Sequence, residues 1–201
     1  MARHPRTWLL LTLLCGAGTA VAGDLTVDVR GPGGGVVSDV VVFAEPAEGL
    51  KAAVATPHGR VTIDQVNKEF VPRVSIVQAG TEIFFPNSDN IRHSIYSFSA
   101  AKTFTTKLYS GREAAPVLFD RAGLVVLGCN IHDKMVAWVL IVDTPWFAKG
   151  GPDGVVTLRG LPPGNYRVTA TAPSAALKAR SVNLRVEADP LRQAISLEGG
   201  S

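Results

Sequence analysis

Sulfur and histidine are scarce in this chain of 201 residues, which contains two cysteines, two methionines and four histidines. So few cysteines exclude a disulfide-rich secreted scaffold. Charge is nearly balanced, with 20 basic and 17 acidic residues and no run of one sign, so nothing indicates nucleic acid as a partner. No apolar run reaches the roughly 20 residues that a membrane span needs. Few residue types are therefore left to carry chemistry.

Residues 1–22 are typical of an export signal. A basic start precedes an apolar run over residues 8–14, and small residues at 20–22 form a cleavage site. We predict a periplasmic protein whose mature chain has no membrane span. A lipoprotein signal through Cys15 is the alternative, although Leu14 is not the small residue that usually precedes such a cysteine.

Cleavage after residue 22 would leave Cys129 as the only cysteine and Met135 as the only methionine of the mature chain. An intramolecular disulfide is then impossible, and a lone thiol outside the cytoplasm is open to oxidation unless it has a function. Three histidines would remain, at positions 58, 93 and 132. All the sulfur and His132 lie within residues 129–135, which makes this segment the first candidate for a functional site.

The hydrophobic pattern predicts an all-β protein. Residues 25–29 and 71–78 alternate apolar and polar side chains, as half-buried strands do. Residues 36–43 are predicted to be one buried strand. Glycine- and proline-rich turns such as 31–35 and 86–90 separate these segments. Short strands with frequent turns are typical of β-sandwiches.

Cys129, His132 and Met135 follow an apolar strand predicted over residues 124–128, and His93 lies upstream of them. Two imidazoles and a thiolate, with a distant axial thioether, are the ligand set of a blue-copper electron-transfer site. Zinc also takes cysteine and histidine, but neutral methionine sulfur is a poor ligand for it. Met135 is therefore the residue that favours copper.

The pattern Cys129-x-x-His132-x-x-Met135 with an upstream His93 resembles the signature of cupredoxins of the plastocyanin and amicyanin type. Residues 127–133 resemble periplasmic cupredoxin-like proteins of the kind labelled methylamine utilization protein. The resemblance implies a cupredoxin Greek-key β-sandwich over residues 59–142 and one type 1 copper. His93, Cys129 and His132 would be its equatorial ligands and Met135 its axial ligand.

The same resemblance assigns supporting roles around the ligands. Asn87 and Ser94 would support the ligand loops, although many blue-copper proteins have asparagine where this chain has Ser94, which changes the hydrogen bonding around the thiolate. A cation at Lys134, if it stays near the metal, would favour the reduced state. His58 lies in a turn and is predicted to be a solvated loop histidine, with a second metal site as the alternative.

Residues 153–158 and 161–168 resemble a transthyretin-like or carboxypeptidase-regulatory-like β-sandwich. Residues 23–58 look like the start of such a sandwich and residues 143–201 like its remainder. We therefore predict that the cupredoxin domain is inserted into a second, smaller sandwich. The alternative is an N-terminal extension joined to a separate C-terminal sandwich.

The expected function is one-electron transfer in the periplasm, without enzymatic activity of its own. The redox partner would be a cytochrome or a dehydrogenase, in an amine-oxidising or respiratory context. The edge of His132 would be the electron port, with Ile131 and Val136 in an apolar patch around it. The alternatives are a copper carrier or sensor module without electron transfer, and a structural sandwich. A copper oxidase or nitrite reductase is disfavoured because only His58 is left for further copper sites.

Overall fold

The computed structural model describes residues 22–47, 60–111, 115–173 and 176–200. These residues form β-strands and one short 3-10 helix, Pro32–Gly34, and no α-helix occurs among them. The predicted all-β class is therefore confirmed. No helix in the described part of the chain is long and apolar enough to cross a membrane. Residues 1–21 of the predicted export signal lie outside the described residues, and His58 does too.

Nineteen strands occur in the described ranges. In chain order they are β1 (Gly23–Arg30), β2 (Val41–Pro46), β3 (Val61–Thr62), β4 (Asp64–Val66), β5 (Glu69–Val71), β6 (Val74–Gln78), β7 (Thr81–Phe84), β8 (Ile95–Ser99), β9 (Lys102–Thr105), β10 (Val117–Phe119), β11 (Gly123–Cys129), β12 (His132–Val142), β13 (Phe147–Lys149), β14 (Val155–Leu161), β15 (Gly164–Thr171), β16 (Leu177–Lys178), β17 (Arg180–Val186), β18 (Leu191–Ser196) and β19 (Glu198–Gly199).

The middle of the chain forms a two-sheet sandwich, which we call the central lobe. One sheet has the strand order β6-β12-β11-β8-β9, and the other has the order β10-β7-β3. Strand β12 pairs antiparallel with β11 and parallel with β6. Between the sheets, the rings of Phe85, Phe104 and Phe119 lie 6.1 to 6.4 Å apart in the apolar core. This core also contains Cys129 and Met135.

A second sandwich, the flanking lobe, is built from both ends of the described chain. Its sheets have the strand orders β14-β1-β18 and β13-β2-β15-β17. Strand β1 runs antiparallel to β14 and parallel to β18, whereas β2 lies between β13 and β15, antiparallel to both. The flanking lobe encloses a separate apolar core. Because of this strand pairing, we propose that the central lobe is inserted into the flanking lobe. The domain limits 23–58, 59–142 and 143–201 and the transthyretin-like resemblance remain predictions.

Tyr166 fixes a corner of the flanking lobe. Its side chain is 1% exposed, and its hydroxyl donates a hydrogen bond to the carbonyl of Pro162 at 2.8 Å. The ring of Trp146 packs edge-on against it at a centroid distance of 5.5 Å. Burial raises the pKa of the Tyr166 hydroxyl. The start of β15 is thus anchored to the connection that joins it to β14.

The two lobes meet at an apolar cleft of about 240 Å³. Trp138 and Leu140 line it from the outer face of the five-stranded sheet, and Phe43 and Thr169 line it from the flanking lobe. Nearby, the Nζ atom of Lys149 donates to the carbonyl of Val74 at 3.4 Å. Trp138 and Leu140 of β12 therefore face the flanking lobe across this cleft.

The predicted strand over residues 36–43 is wrong in its first half. Strand β2 begins at Val41, because Asp39 has a φ of 56°, a left-handed conformation that interrupts an extended strand. The side chain of Asp39 forms an ion pair with Lys149 at 2.7 Å. Burial was predicted correctly for part of residues 36–43, since Val40 is fully buried. The chain nevertheless bends at Asp39, before β2 begins.

Removal of residues 143–201 is expected to release the two N-terminal strands, because every strand that pairs with β1 or β2 lies in that segment. Strands β11 and β12 should remain protected, since their partners lie within residues 60–142. Amide hydrogen exchange of the truncated and full-length chains measures this difference. Excision of residues 60–142 is the matched control and should leave β1 and β2 protected. Protection of β1 in the truncated chain would refute the pairing.

Candidate metal centre

The hairpin between β11 and β12 brings Cys129 and His132 together. These two residues are register partners on either side of a two-residue turn, Asn130-Ile131. The next pair in the ladder is Gly128 with Val136, so residues 133–135 of β12 have no partner on β11. Such a bulge inserts extra residues into one strand and re-aims their side chains. Met135 lies in this bulge, immediately before the regular ladder resumes.

His93 reaches the same point from a different part of the chain. Its Nδ1 atom lies 3.7 Å from the Sγ atom of Cys129, and the Nδ1 atom of His132 lies 3.9 Å from that sulfur. The centroids of the two imidazole rings are 5.0 Å apart. The three potential ligand atoms all lie within 4.8 Å of one another, and no other such group of His, Cys, Asp or Glu side chains occurs in the described ranges.

The two sulfur–nitrogen separations are compatible with a metal ion bound by these side chains. Metal–nitrogen and metal–sulfur bonds of about 2.0–2.3 Å, at angles near 120°, place the ligand atoms roughly 3.5–3.9 Å apart. The sulfur–nitrogen distances of 3.7 and 3.9 Å lie within this range or at its upper limit. The three predicted equatorial ligands therefore come together with suitable donor types, and copper suits a mixture of thiolate and imidazole.

Met135, the predicted axial ligand, is 1% exposed and belongs to the same apolar core cluster as Cys129. Its neighbours along β12 alternate between buried and more exposed positions, and Met135 is on the buried side. The thioether therefore lies inside the central lobe, at the end of the strand that carries His132. Its role as a ligand remains a prediction.

The site is open to solvent on one side. His93 is fully buried and Cys129 is 4% exposed, whereas His132 is half-buried and Ile131 is 51% exposed. Lys134 is also exposed, and it lines a small surface pocket with Glu69 and Arg73. The apolar core thus excludes water from behind the thiolate, and the hairpin tip is the part that reaches the surface.

Asp89 is a site residue that sequence reasoning did not identify. Its Oδ2 atom lies 2.7 Å from the Nε2 atom of His93, which leaves Nδ1 facing the sulfur of Cys129. Burial by itself raises the pKa of the Asp89 carboxyl, but hydrogen bonds from the Lys68 amide, the His93 ring and the Asn67 amide outweigh this effect. The pKa therefore lies below its usual value. The signal for this role in the sequence is an acidic residue four positions before a candidate ligand.

The loop before His93 is held by Asn87. The Nδ2 atom of Asn87 donates to the carbonyls of Ile91 and Tyr109, at 3.0 and 2.9 Å, and its Oδ1 accepts from the amide of Asp89 at 3.0 Å. The backbone of His93 exchanges two hydrogen bonds with Tyr109. Ser94, also expected to support the loop, is buried, but its Oγ atom has no hydrogen-bond partner among the described residues.

Comparison with known proteins gives structural similarities only. No protein-family model and no curated protein sequence matches the chain. Among solved structures, it is similar to a copper-containing nitrite reductase from Thermus scotoductus SA-01, with 26% identity over 49% of this chain and a TM-score of 0.39. The match covers only 25% of the nitrite reductase chain.

Two cupredoxin structures are similar to part of this chain over nearly their own whole length. A purple cupredoxin from Nitrosopumilus maritimus has 20% identity, covers 41% of this chain and 99% of its own, and gives a TM-score of 0.37. A point mutant of amicyanin in its reduced Cu(I) form has 18% identity, with coverage of 50% and 99% and a TM-score of 0.39. All three TM-scores lie below 0.5.

Replacement of Asn87 by alanine is expected to lower the free energy of unfolding by about 2 kcal/mol, because two carbonyls and one amide lose the buried side chain that is their partner. Urea unfolding monitored by circular dichroism measures the change. Asn90→Ala is the matched control, since Asn90 is exposed and lies in the same loop. Equal stability of the two variants would show that Asn87 does not hold the loop.

Proposed function

We propose that this protein binds one type 1 copper ion through His93, Cys129 and His132, with Met135 as the axial ligand, and that it transfers single electrons. The observation that carries the proposal is the cluster of two imidazole nitrogens around the Cys129 sulfur, at 3.7 and 3.9 Å, where Cys129 itself belongs to the apolar core. When bound, copper supplies a one-electron couple between its cuprous and cupric states.

The residues of the site suit electron transfer because the strand ladder and the loop hydrogen bonds hold them in place. Cys129 and His132 are fixed by the β11–β12 ladder, and the backbone of His93 is fixed by Tyr109. Burial of Cys129 keeps water from the thiolate. A site whose ligands cannot move far reorganises little when its charge changes, and low reorganisation makes electron transfer fast.

The proposed electron port is the half-buried ring of His132 at the hairpin tip. The exposed Ile131 next to it supports an apolar contact surface for a partner protein. Val136 is less suited to that role, because it lines a hollow on the outer sheet face with Tyr96 and Phe98. A cytochrome or a dehydrogenase is the proposed partner, in the periplasm, and an amine-oxidising context is proposed from the sequence resemblance alone.

A copper carrier or sensor without electron transfer is the second candidate. Such a protein exchanges its metal and needs accessible ligands, whereas His93, Cys129 and Met135 are each at most 4% exposed. This burial favours a resident ion over an exchangeable one. Catalysis is not proposed, because the central cluster accounts for two of the three histidines that follow the predicted signal.

Addition of one equivalent of cupric ion to the purified protein is expected to give an intense blue or green absorption band, since a thiolate bound to cupric ion absorbs visible light. Ascorbate should abolish the band by reducing the ion. Cys129→Ala should give no band, because it removes the thiolate. His58→Ala is the control and should keep the full band.

Two results would overturn the proposal. Weak or absent copper uptake without a visible band would leave a structural sandwich. Tight uptake that gives the same spectrum in the wild type and in Cys129→Ala would show that copper binds elsewhere.

A further inference from the structure

Resting on the proposed copper site, we infer that Asp89 is a positioning residue that orients His93 toward Cys129 and favours the oxidised state of the site. The Asp89 carboxylate accepts a hydrogen bond from the N–H at the Nε2 atom of His93, so that the Nδ1 lone pair faces the Cys129 thiolate. The β4–β5 hairpin in turn holds the carboxylate. In the proposed assembly the β4–β5 hairpin holds the Asp89 carboxylate, the carboxylate orients the His93 imidazole, and the imidazole binds the metal.

The contact between Asp89 and His93 is short and enclosed. The distance from Oδ2 to Nε2 is 2.7 Å, the side chain of His93 is fully buried and that of Asp89 is 11% exposed. A neutral imidazole has one N–H and one lone pair. An ionised carboxylate can only accept, so it draws the proton to Nε2 and leaves the lone pair on Nδ1, where a metal ligand needs it.

Two backbone amides of the hairpin turn clamp the carboxylate. The amide of Asn67 donates to Oδ1 at 2.6 Å, and the amide of Lys68 donates to Oδ2 at 2.9 Å. Both residues are left-handed, with φ values of 53° and 62°, as the two central residues of a type I′ turn are. This geometry points successive N–H groups to one side, where they meet a single carboxylate.

The hairpin is itself fastened to the segment that carries Asp89. The hydroxyl of Ser88 donates to the carboxylate of Asp64 at 2.7 Å, and the amide of Ser88 donates to the carbonyl of Gln65 at 3.0 Å. Gln65 is fully buried, and its Nε2 atom donates to the carbonyl of Pro86 at 2.9 Å. The hairpin and the His93 loop therefore form one hydrogen-bonded unit.

The carboxylate has a predictable effect on the proposed site. A negative charge next to a ligand raises the basicity of that ligand and stabilises the more positive metal state. Loss of such an outer partner typically lowers metal affinity 10- to 100-fold. The cupric ion carries the larger charge, so its affinity should fall more than that of the cuprous ion. The reduction potential should therefore rise when the charge on Asp89 is removed.

The first test uses the metal-free, full-length protein and nitrogen-15 NMR of its histidine rings. Wild-type His93 should carry its proton on Nε2, and Asp89→Ala should increase the population protonated on Nδ1. A wild-type ring protonated on Nδ1 would overturn the inference, and this readout needs no variant to fold and no copper to bind. Failure of the copper proposal is seen separately, as absence of the thiolate–copper band in the wild type.

The second test is the reduction potential of the copper-loaded protein. Asp89→Asn keeps the shape of the side chain and should weaken cupric relative to cuprous binding about 10-fold, which corresponds to a rise of about 59 mV. Asp120→Asn is the matched control, because Asp120 is exposed and pairs with Lys102 at 3.4 Å; its potential should equal that of the wild type. An unchanged potential in Asp89→Asn would overturn the inference.

Discussion

The register of the β11–β12 ladder is the constraint on which the rest of the site depends. Along β11, Val125, Leu127 and Cys129 are buried, and along β12 Met135 and Ala137 begin the buried series. The two-residue period of a strand thus places the thiolate and the thioether on the same face as the core side chains. A slip of one residue would turn that whole face outward. Hydrophobic burial, which stabilises the central lobe, therefore also holds the proposed ligands.

His93 is positioned by a different kind of force. The loop that carries it is fixed by hydrogen bonds from Asn87 and Tyr109 to its backbone, and by Asp89 on its ring. The buried side chain of Asn87 makes three hydrogen bonds to backbone groups, so the loop backbone has few alternative arrangements. The proposed site thus joins a ligand pair held by an apolar ladder to a single ligand held by a polar network. Only the His132 side remains open to solvent.

The all-β class, and the choice of Cys129, His132 and Met135 as candidate ligands, could be predicted from the sequence because both depend on local pattern. The close spacing of Cys129, His132 and Met135 and the apolar strands around them are visible in a few residues. Asp89 could not be assigned, because its two amide donors come from a hairpin some 20 residues away that no pattern brings near. The start of β2 was misplaced for a related reason. Residues 36–43 were predicted to be one strand although Ser38 and Asp39 lie among their apolar side chains, and the left-handed conformation of Asp39 bends the chain there.

The parallel pairing of β1 with β18 gives the flanking lobe a mechanical property. The two strands run in the same direction, with six paired positions from Leu25–Leu191 to Arg30–Ser196. A pull on the start of β1 and the end of β18 is therefore directed along the strands, and the bonds between them are loaded in shear, all at once. Strands pulled apart from one end would lose their bonds one at a time. While this contact holds, the tension passes from β1 to β18 directly, and the central lobe with its proposed copper site carries none of it.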